Sequence, residues 1–160
     1  MTNSPNRPNP SRPRTARTTP RSQENQRQAT NITQEIIAKI DGLQGSLQTY
    51  PIRDLVHHAE QFGPYLKQQR LETNQVRKFL DAINRLKSIL AQENDFSKIE
   101  TEVVLLKPKL AYAAAREKAA IPLSKVISKA IDKVDKAEDF ERLVQFIESI
   151  IAYHKAEGGK

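Results

Sequence analysis

Along most of the chain, apolar residues recur every three or four positions, and short breaks rich in Pro, Gly, Asn and Asp separate these stretches. Such spacing places the apolar residues on one face of an α-helix. From residue 51 onward the pattern predicts about five amphipathic helices with short connections, which is typical of an antiparallel helical bundle. Their first residues are expected near Pro51, Thr73, Asp95, Pro122 and Asp139. No stretch alternates apolar and polar residues as a half-buried β-strand would.

The longest apolar run, residues 103–116, is interrupted only by a Lys-Pro-Lys insert. One of its faces carries apolar residues at helical spacing, and Val104, Leu105 and Tyr112 add apolar surface outside that face. A helix that is apolar almost all round is typical of the middle of a domain, so we expect other helices to pack over it. Pro108 is expected to kink this helix rather than end it, because good helix formers follow at once.

Local signals set the expected ends of the other helices. Gly63-Pro64 is expected to stop or kink the helix that begins near residue 51. Asp139 is expected to cap the last helix of the chain. A further short helix is predicted over about residues 30–47, although two glycines weaken its second half.

A change in composition defines the expected domain organisation. Residues 1–28 contain five of the nine prolines and almost nothing apolar, and their six Arg against one Glu give +5 of the total net charge of +7. Such a segment cannot bury enough apolar surface to offset its ordering entropy, so we expect a disordered basic arm. Residues 29–49 are expected to form the short helix and a linker, and residues 50–160 the helical bundle domain.

The chain contains no cysteine, which excludes disulfides and thiolate metal sites and favours a reducing compartment. No apolar run approaches the roughly 18 residues that a membrane-spanning helix needs. No signal-peptide core follows Met1. We therefore expect a soluble, cytoplasmic protein that does not bind a membrane.

The titratable residues form no pattern typical of an enzyme. His57 and His58 are adjacent and point about 100° apart on a helix, so they cannot converge on one metal ion. No zinc-protease, phosphate-loop or dinucleotide-binding motif occurs in the chain. The sequence favours a protein that is not an enzyme and that uses no metal or cofactor.

Basic residues recur on the polar faces of the predicted helices. Arg77, Lys78 and Arg85 fall within an arc of about 100° on one helix, and Lys109 and Arg116 share a direction on the next. Several such stripes could line a groove for a phosphate backbone. The aromatic residues mostly have core spacing and offer no stacking platform, which favours backbone contacts over base reading. The alternative is that each stripe is a solvated helix face.

Three blocks of the chain resemble, in order and spacing, one known family. They are Leu-Glu-Thr-Asn-Gln-Val-Arg-Lys-Phe at 71–79, Leu-Leu-Lys-Pro-Lys-Leu-Ala-Tyr-Ala-Ala-Ala-Arg at 105–116, and Phe-Ile-Glu-Ser-Ile-Ile-Ala-Tyr-His-Lys at 146–155. The family is the small α-helical subunit of type III-A CRISPR–Cas (Csm) effector complexes, and the resemblance spans about residues 52–159. It departs from the family's pattern at Glu72 and Asn74, where small hydroxyl residues are expected.

The resemblance implies a compact helical bundle that is present in several copies along a ribonucleoprotein. Its implied partners are the guide RNA, the target RNA, the other subunits of the effector complex and further copies of itself. Cleavage would belong to neighbouring subunits, and base pairing with the guide would supply the specificity. Residues implied as RNA contacts by their position in the blocks are Arg77, Lys78, Lys107, Lys109 and Arg116, with Lys155 as a further candidate and Arg85 added from the basic stripe.

Two other functions remain open from the sequence. One is a small helical adaptor or scaffold that binds a protein and no nucleic acid. In that case Lys125, Lys129 and Lys133, which share a face of the helix after Pro122, would pair with an acidic partner. The other is a helix-turn-helix DNA-binding regulator, for which the helix carrying Arg77 would have to be exposed as a recognition helix.

Overall fold

A computed structural model describes residues 32–158, so the predicted basic arm over residues 1–28 lies outside the described residues. The described part contains six α-helices, three short 3-10 turns and no β-strand, and the predicted all-α bundle is confirmed. The helices are α1 at 32–41, α2 at Ile52–Gln68, α3 at Thr73–Glu93, α4 at Glu100–Arg116, α5 at Ile121–Ile131 and α6 at Ala137–Ala156. None of the described helices combines the length and the apolar character needed to cross a membrane.

The last helix, α6, lies at the centre of the bundle. It packs on α2, on α3 and on the 3-10 turn at Leu47–Thr49. Buried residues follow one another along almost its whole length, and Phe140, Phe146 and Ile147 are at most 1% exposed. α6 has nine buried residues, more than any other described helix, and burial of each large apolar side chain contributes roughly 1.5–3 kcal/mol.

The prediction that α4 is the central helix is wrong. Only Val103, Leu106 and Leu110 of α4 are buried, whereas Val104 and Tyr112 are 53% and 66% exposed. Among the described helices α4 packs chiefly on α5. A helix buries only the face that a neighbour covers, so the second apolar face of α4 stays in contact with solvent.

Gly63-Pro64, expected to stop or kink this helix, does not stop it, since α2 continues through both residues. Pro64 lacks the N–H group that would bond to the carbonyl of Glu60, but Glu60 is exposed and its carbonyl can bond to water. Gly63 lies against α6. A Cβ atom at this position would be 2.7 Å from both the amide nitrogen of His154 and the carbonyl oxygen of Ile150. The α2–α6 packing therefore requires a residue without a side chain here.

Residues 32–50 share the hydrophobic core of the bundle. Ile36, Ile40, Leu47 and Tyr50 have no exposed surface. The backbone N–H of Leu47 donates to a carbonyl beyond the end of α5 at 2.8 Å, which fastens the turn to the bundle. Within the described residues, α1 ends just before its two glycines rather than continuing to the expected end near residue 47, because glycine is a poor helix former.

Asp139 joins this segment to the start of α6. Its buried carboxylate accepts hydrogen bonds from the N–H groups of Gln48 at 2.8 Å, Asp135 at 3.0 Å and Lys136 at 3.2 Å. Asp139 lies within the first turn of α6 and not at the capping position, which Lys136 occupies. Burial raises the pKa of this carboxyl group, but the hydrogen bonds, including one from the Ser46 side chain, outweigh burial and lower its pKa.

Candidate nucleic-acid interface

A groove of about 540 Å³ lies between the first half of α3, the second half of α4 and the start of α5. Three exposed basic side chains line it, namely Lys78 from α3 and Lys109 and Arg116 from α4. From the sequence these residues belong to two separate stripes, and the arrangement of α3 and α4 around the groove brings them to one concave surface. We name this surface the basic groove.

Two buried contacts set the position of the α3 wall. Val76 is 4% exposed, and the carbonyl of Leu71, just before α3, accepts a hydrogen bond from Nε2 of the buried His154 at 2.8 Å. Glu72 occupies the capping position at the start of α3. The backbone N–H of Glu72 donates to the Gln75 side chain at 3.1 Å, which completes a capping box.

The α4 wall is set by helical geometry. Leu110 is 6% exposed and faces the core, while Lys109 and Arg116 are seven residues apart and so project in nearly the same direction. Because two helical turns separate them, their Cα atoms lie about 10 Å apart along the helix axis. That arrangement gives α4 two positive positions along the length of the groove.

The predicted RNA-binding residues differ in whether they form ion pairs within the protein. Arg85 pairs with Glu102 and Lys107 pairs with Asp132. Within residues 32–158, no ion pair involves any of the three cations of the basic groove. Glu117 is the acidic residue that lines the groove in the described part of the chain. The groove therefore keeps a net positive charge, whereas the charges of the two paired cations are largely compensated.

Arg77 and Lys155 are exposed but do not line the basic groove. Arg77 lies on α3 beside Lys78, and Lys155 lies in the last turn of α6. Their predicted contacts with RNA stay predictions that the geometry of the groove does not support.

Tyr112 is a groove residue that the sequence reasoning missed. It is 66% exposed, it lines the basic groove, and the guanidinium carbon of Arg116 lies 5.7 Å from its ring centre. This distance is within the range of a cation–π contact. The expectation that aromatic residues offer no stacking platform does not hold for Tyr112. The sequence feature that could have identified Tyr112 is its spacing of four residues from Arg116, which places both residues on one side of a helix.

His57 and His58 each contact a neighbouring side chain of the fold. The hydroxyl of Tyr50 and Nδ1 of the buried His58 form a hydrogen bond of 2.6 Å, and burial lowers the pKa of this imidazole despite the neighbouring Glu35. His57 contacts the side chain of Gln61 at 3.0 Å. Across the described residues, no group of three or more His, Asp or Glu side chains could hold a metal ion.

Sequence comparison identifies the family of this chain. Residues 49–160, which include α2 to α6 and the whole basic groove, match the profile of the Csm2 type III-A family. The chain belongs to the Csm2 family. It is thus a Csm subunit of a type III-A CRISPR–Cas system.

One relative of this Csm2-family chain is the "CRISPR system Cms protein Csm2" of Streptococcus thermophilus. The two proteins are 31% identical over 100 residues, which cover 61% of this chain and 78% of the relative. No solved structure matches the chain significantly.

Proposed function

We propose that this Csm2-family chain is a non-catalytic, RNA-binding structural subunit of a cytoplasmic type III-A CRISPR interference ribonucleoprotein. In this role it contacts the backbone of the guide RNA–target RNA duplex and packs beside other subunits and further copies of itself. The observation that carries the proposal is the convergence of Lys78, Lys109 and Arg116, all free of ion pairs within the described residues, on one groove.

The chemistry of the three cations suits phosphate groups. The planar guanidinium of Arg116 can donate two parallel N–H groups to one phosphate, and the two lysines act as mobile point charges. Contacts of this kind position a strand but carry no sequence information. Sequence recognition in an RNA-guided complex comes from base pairing between guide and target, so a subunit that grips only the backbone serves every guide equally.

The test uses the assembled effector complex with Lys78→Ala, Lys109→Ala or Arg116→Ala. We expect each variant to bind target RNA more weakly, and by the same factor for unrelated guide–target pairs. The slope of log affinity against log salt should also fall by about 0.7–0.9 for each phosphate contact that is lost. The matched control is Lys98→Ala, an exposed lysine in the 3-10 turn before α4 that does not line the groove.

Two results would contradict the proposal. One is a loss no larger in the three groove variants than in Lys98→Ala. The other is a loss that depends strongly on the RNA sequence, because backbone contacts are indifferent to sequence. Arg85→Ala and Lys107→Ala are informative companions, and we expect smaller effects from them because their charges are paired with Glu102 and Asp132.

The uncovered face of α4 favours the adaptor as a second candidate function. Val104, Leu105 and Tyr112 are 48–66% exposed, and exposed apolar side chains that adjoin one another are a feature of protein-docking surfaces. The acidic partner expected for Lys129 has a competitor within the chain, since its Nζ lies 3.6 Å from Asp41. If the adaptor function holds alone, Val104→Ser should release a protein partner, and neither the wild-type chain nor the variant should bind RNA.

A further inference from the structure

The basic groove has an apolar wall, which contacts with an RNA phosphate backbone do not require. Much of its lining is apolar, including Leu71, Val76, Phe79, Leu110 and Leu123. Its volume of about 540 Å³ lies within the range of about 300–1,000 Å³ that is usual for sites of small organic ligands. A phosphate held by cations needs no apolar concavity, and this concavity has room for an uncharged, partly apolar group beside the phosphate.

Tyr112 supplies an aromatic surface in this concavity. Its side chain is two-thirds exposed, whereas Leu71, Val76 and Leu110 of the groove wall are buried in the core. Arg116 lies 5.7 Å from the ring centre, and an exposure of 66% leaves most of the remaining ring surface open to solvent. An exposed aromatic ring next to cations is the arrangement with which proteins hold unpaired nucleotides, because every base can stack on an aromatic face.

We propose that the basic groove binds one unstacked nucleotide of an RNA strand. Its base stacks on the ring of Tyr112 against the apolar wall, and its flanking phosphates pair with Lys78, Lys109 and Arg116. This inference rests on the proposed function and goes beyond it, since a grip on the backbone requires no base. The net positive charge of the groove favours a polyanion over an apolar peptide as the occupant.

The test separates the base from the phosphates. Fluorescence anisotropy measures binding of the full-length chain to a labelled 12-nucleotide oligouridine and to an abasic ribose-phosphate oligomer of the same length and charge. We expect the wild-type chain to bind oligouridine more tightly by about 5- to 150-fold, the range that stacking of one base on an aromatic side chain spans.

Three variants assign this preference to residues. Tyr112→Ala should bring the two affinities close together, and Tyr112→Phe should keep them apart because the ring is retained. Lys109→Ala should weaken both oligomers by the same factor, since it removes only a phosphate contact. Tyr112 contributes little to the core, so circular dichroism should show the same helix content in all variants.

Three other outcomes would each overturn the inference. Equal affinities of the wild-type chain for the two oligomers overturn it. A preference that survives in Tyr112→Ala overturns it as well, because the base then stacks elsewhere. Absence of binding to both oligomers also refutes it, since a groove that accepts an unstacked base must bind a free strand. In none of these cases does the proposed function fall, because it is tested separately with Lys78, Lys109 and Arg116 in the assembled complex.

Discussion

Replacing Gly63 by Ala tests the contact on which the core of this fold depends. Gly63 lies in α2, and the Cβ of an alanine there would be 2.7 Å from the amide nitrogen of His154, 2.7 Å from the carbonyl oxygen of Ile150 and 2.8 Å from Cβ of Tyr153. Ordinary van der Waals contact begins at 3.4 Å, so the overlap is about 0.7 Å with the backbone of α6 itself. Backbone atoms cannot rotate away, and α2 must therefore move away from α6.

Two opposing effects set the size of the change. Alanine is more favourable than glycine inside a helix by roughly 1 kcal/mol, which stabilises the variant. Overpacking of a close-packed contact costs typically about 1–3 kcal/mol, and contacts with backbone on the neighbouring helix put this site at the upper end. The net expectation is a loss of about 2 kcal/mol in the free energy of unfolding. For a domain of this size that corresponds to a melting temperature lower by roughly 4–8 °C.

The assay is urea unfolding followed by circular dichroism, with Gly45→Ala as the matched control. A Cβ at Gly45 would meet only the exposed side chain of Thr49, at 3.1 Å, and that side chain can rotate away. The control should therefore stay within about 0.5 kcal/mol of wild type. A Gly63→Ala variant as stable as wild type would refute the close packing of α2 on α6.

Three further predictions concern buried hydrogen bonds and paired charges. Asp139→Asn should lower the free energy of unfolding by about 1.5–3 kcal/mol at pH 7. Because folding lowers the pKa of Asp139, this loss should shrink as the pH falls below about 4. An equal loss at pH 7 and pH 3 would contradict the role of the Asp139 carboxylate as a hydrogen-bond acceptor. His154→Leu leaves the carbonyl of Leu71 without its hydrogen bond and should cost about 1–3 kcal/mol in urea unfolding, and no loss would argue against that bond. The double variant Glu102→Gln/Asp132→Asn frees Arg85 and Lys107 from their ion pairs. The slope of log RNA affinity against log salt concentration should then steepen by about 0.7–0.9 for each phosphate newly contacted. An unchanged slope would show that these two cations do not reach RNA.

Helices that carry one apolar stripe were predictable from the sequence. On α5 the apolar residues recur at helical spacing, and Leu123, Val126, Ile127 and Ala130 are at most 7% exposed. Each such helix has one way to bury its stripe, so the periodicity alone determines which side faces the core. The position of α4 was not predictable in this way, because it has two apolar faces and the sequence does not indicate which face a neighbour covers.

The basic groove was predictable only in part. The spacing of seven residues places Lys109 and Arg116 together, since both lie on one helix. The position of Lys78 beside them depends on how α3 and α4 are arranged in the bundle, and helical periodicity carries no information on that arrangement. The same limit applies to the ion pairs of Arg85 and Lys107, whose partners are 17 and 25 residues away along the chain.

Ultraviolet cross-linking of the assembled effector complex, followed by mass spectrometry, tests the central claim most directly. The claim is that the basic groove is the surface on which this subunit holds RNA. We predict that RNA-modified peptides come from the first half of α3 and the second half of α4, the segments that carry Lys78 and Lys109. RNA modification confined to α2 or α6, with the groove peptides unmodified, would contradict the claim. Absence of any RNA-modified peptide from this subunit would also contradict it and would favour the adaptor function.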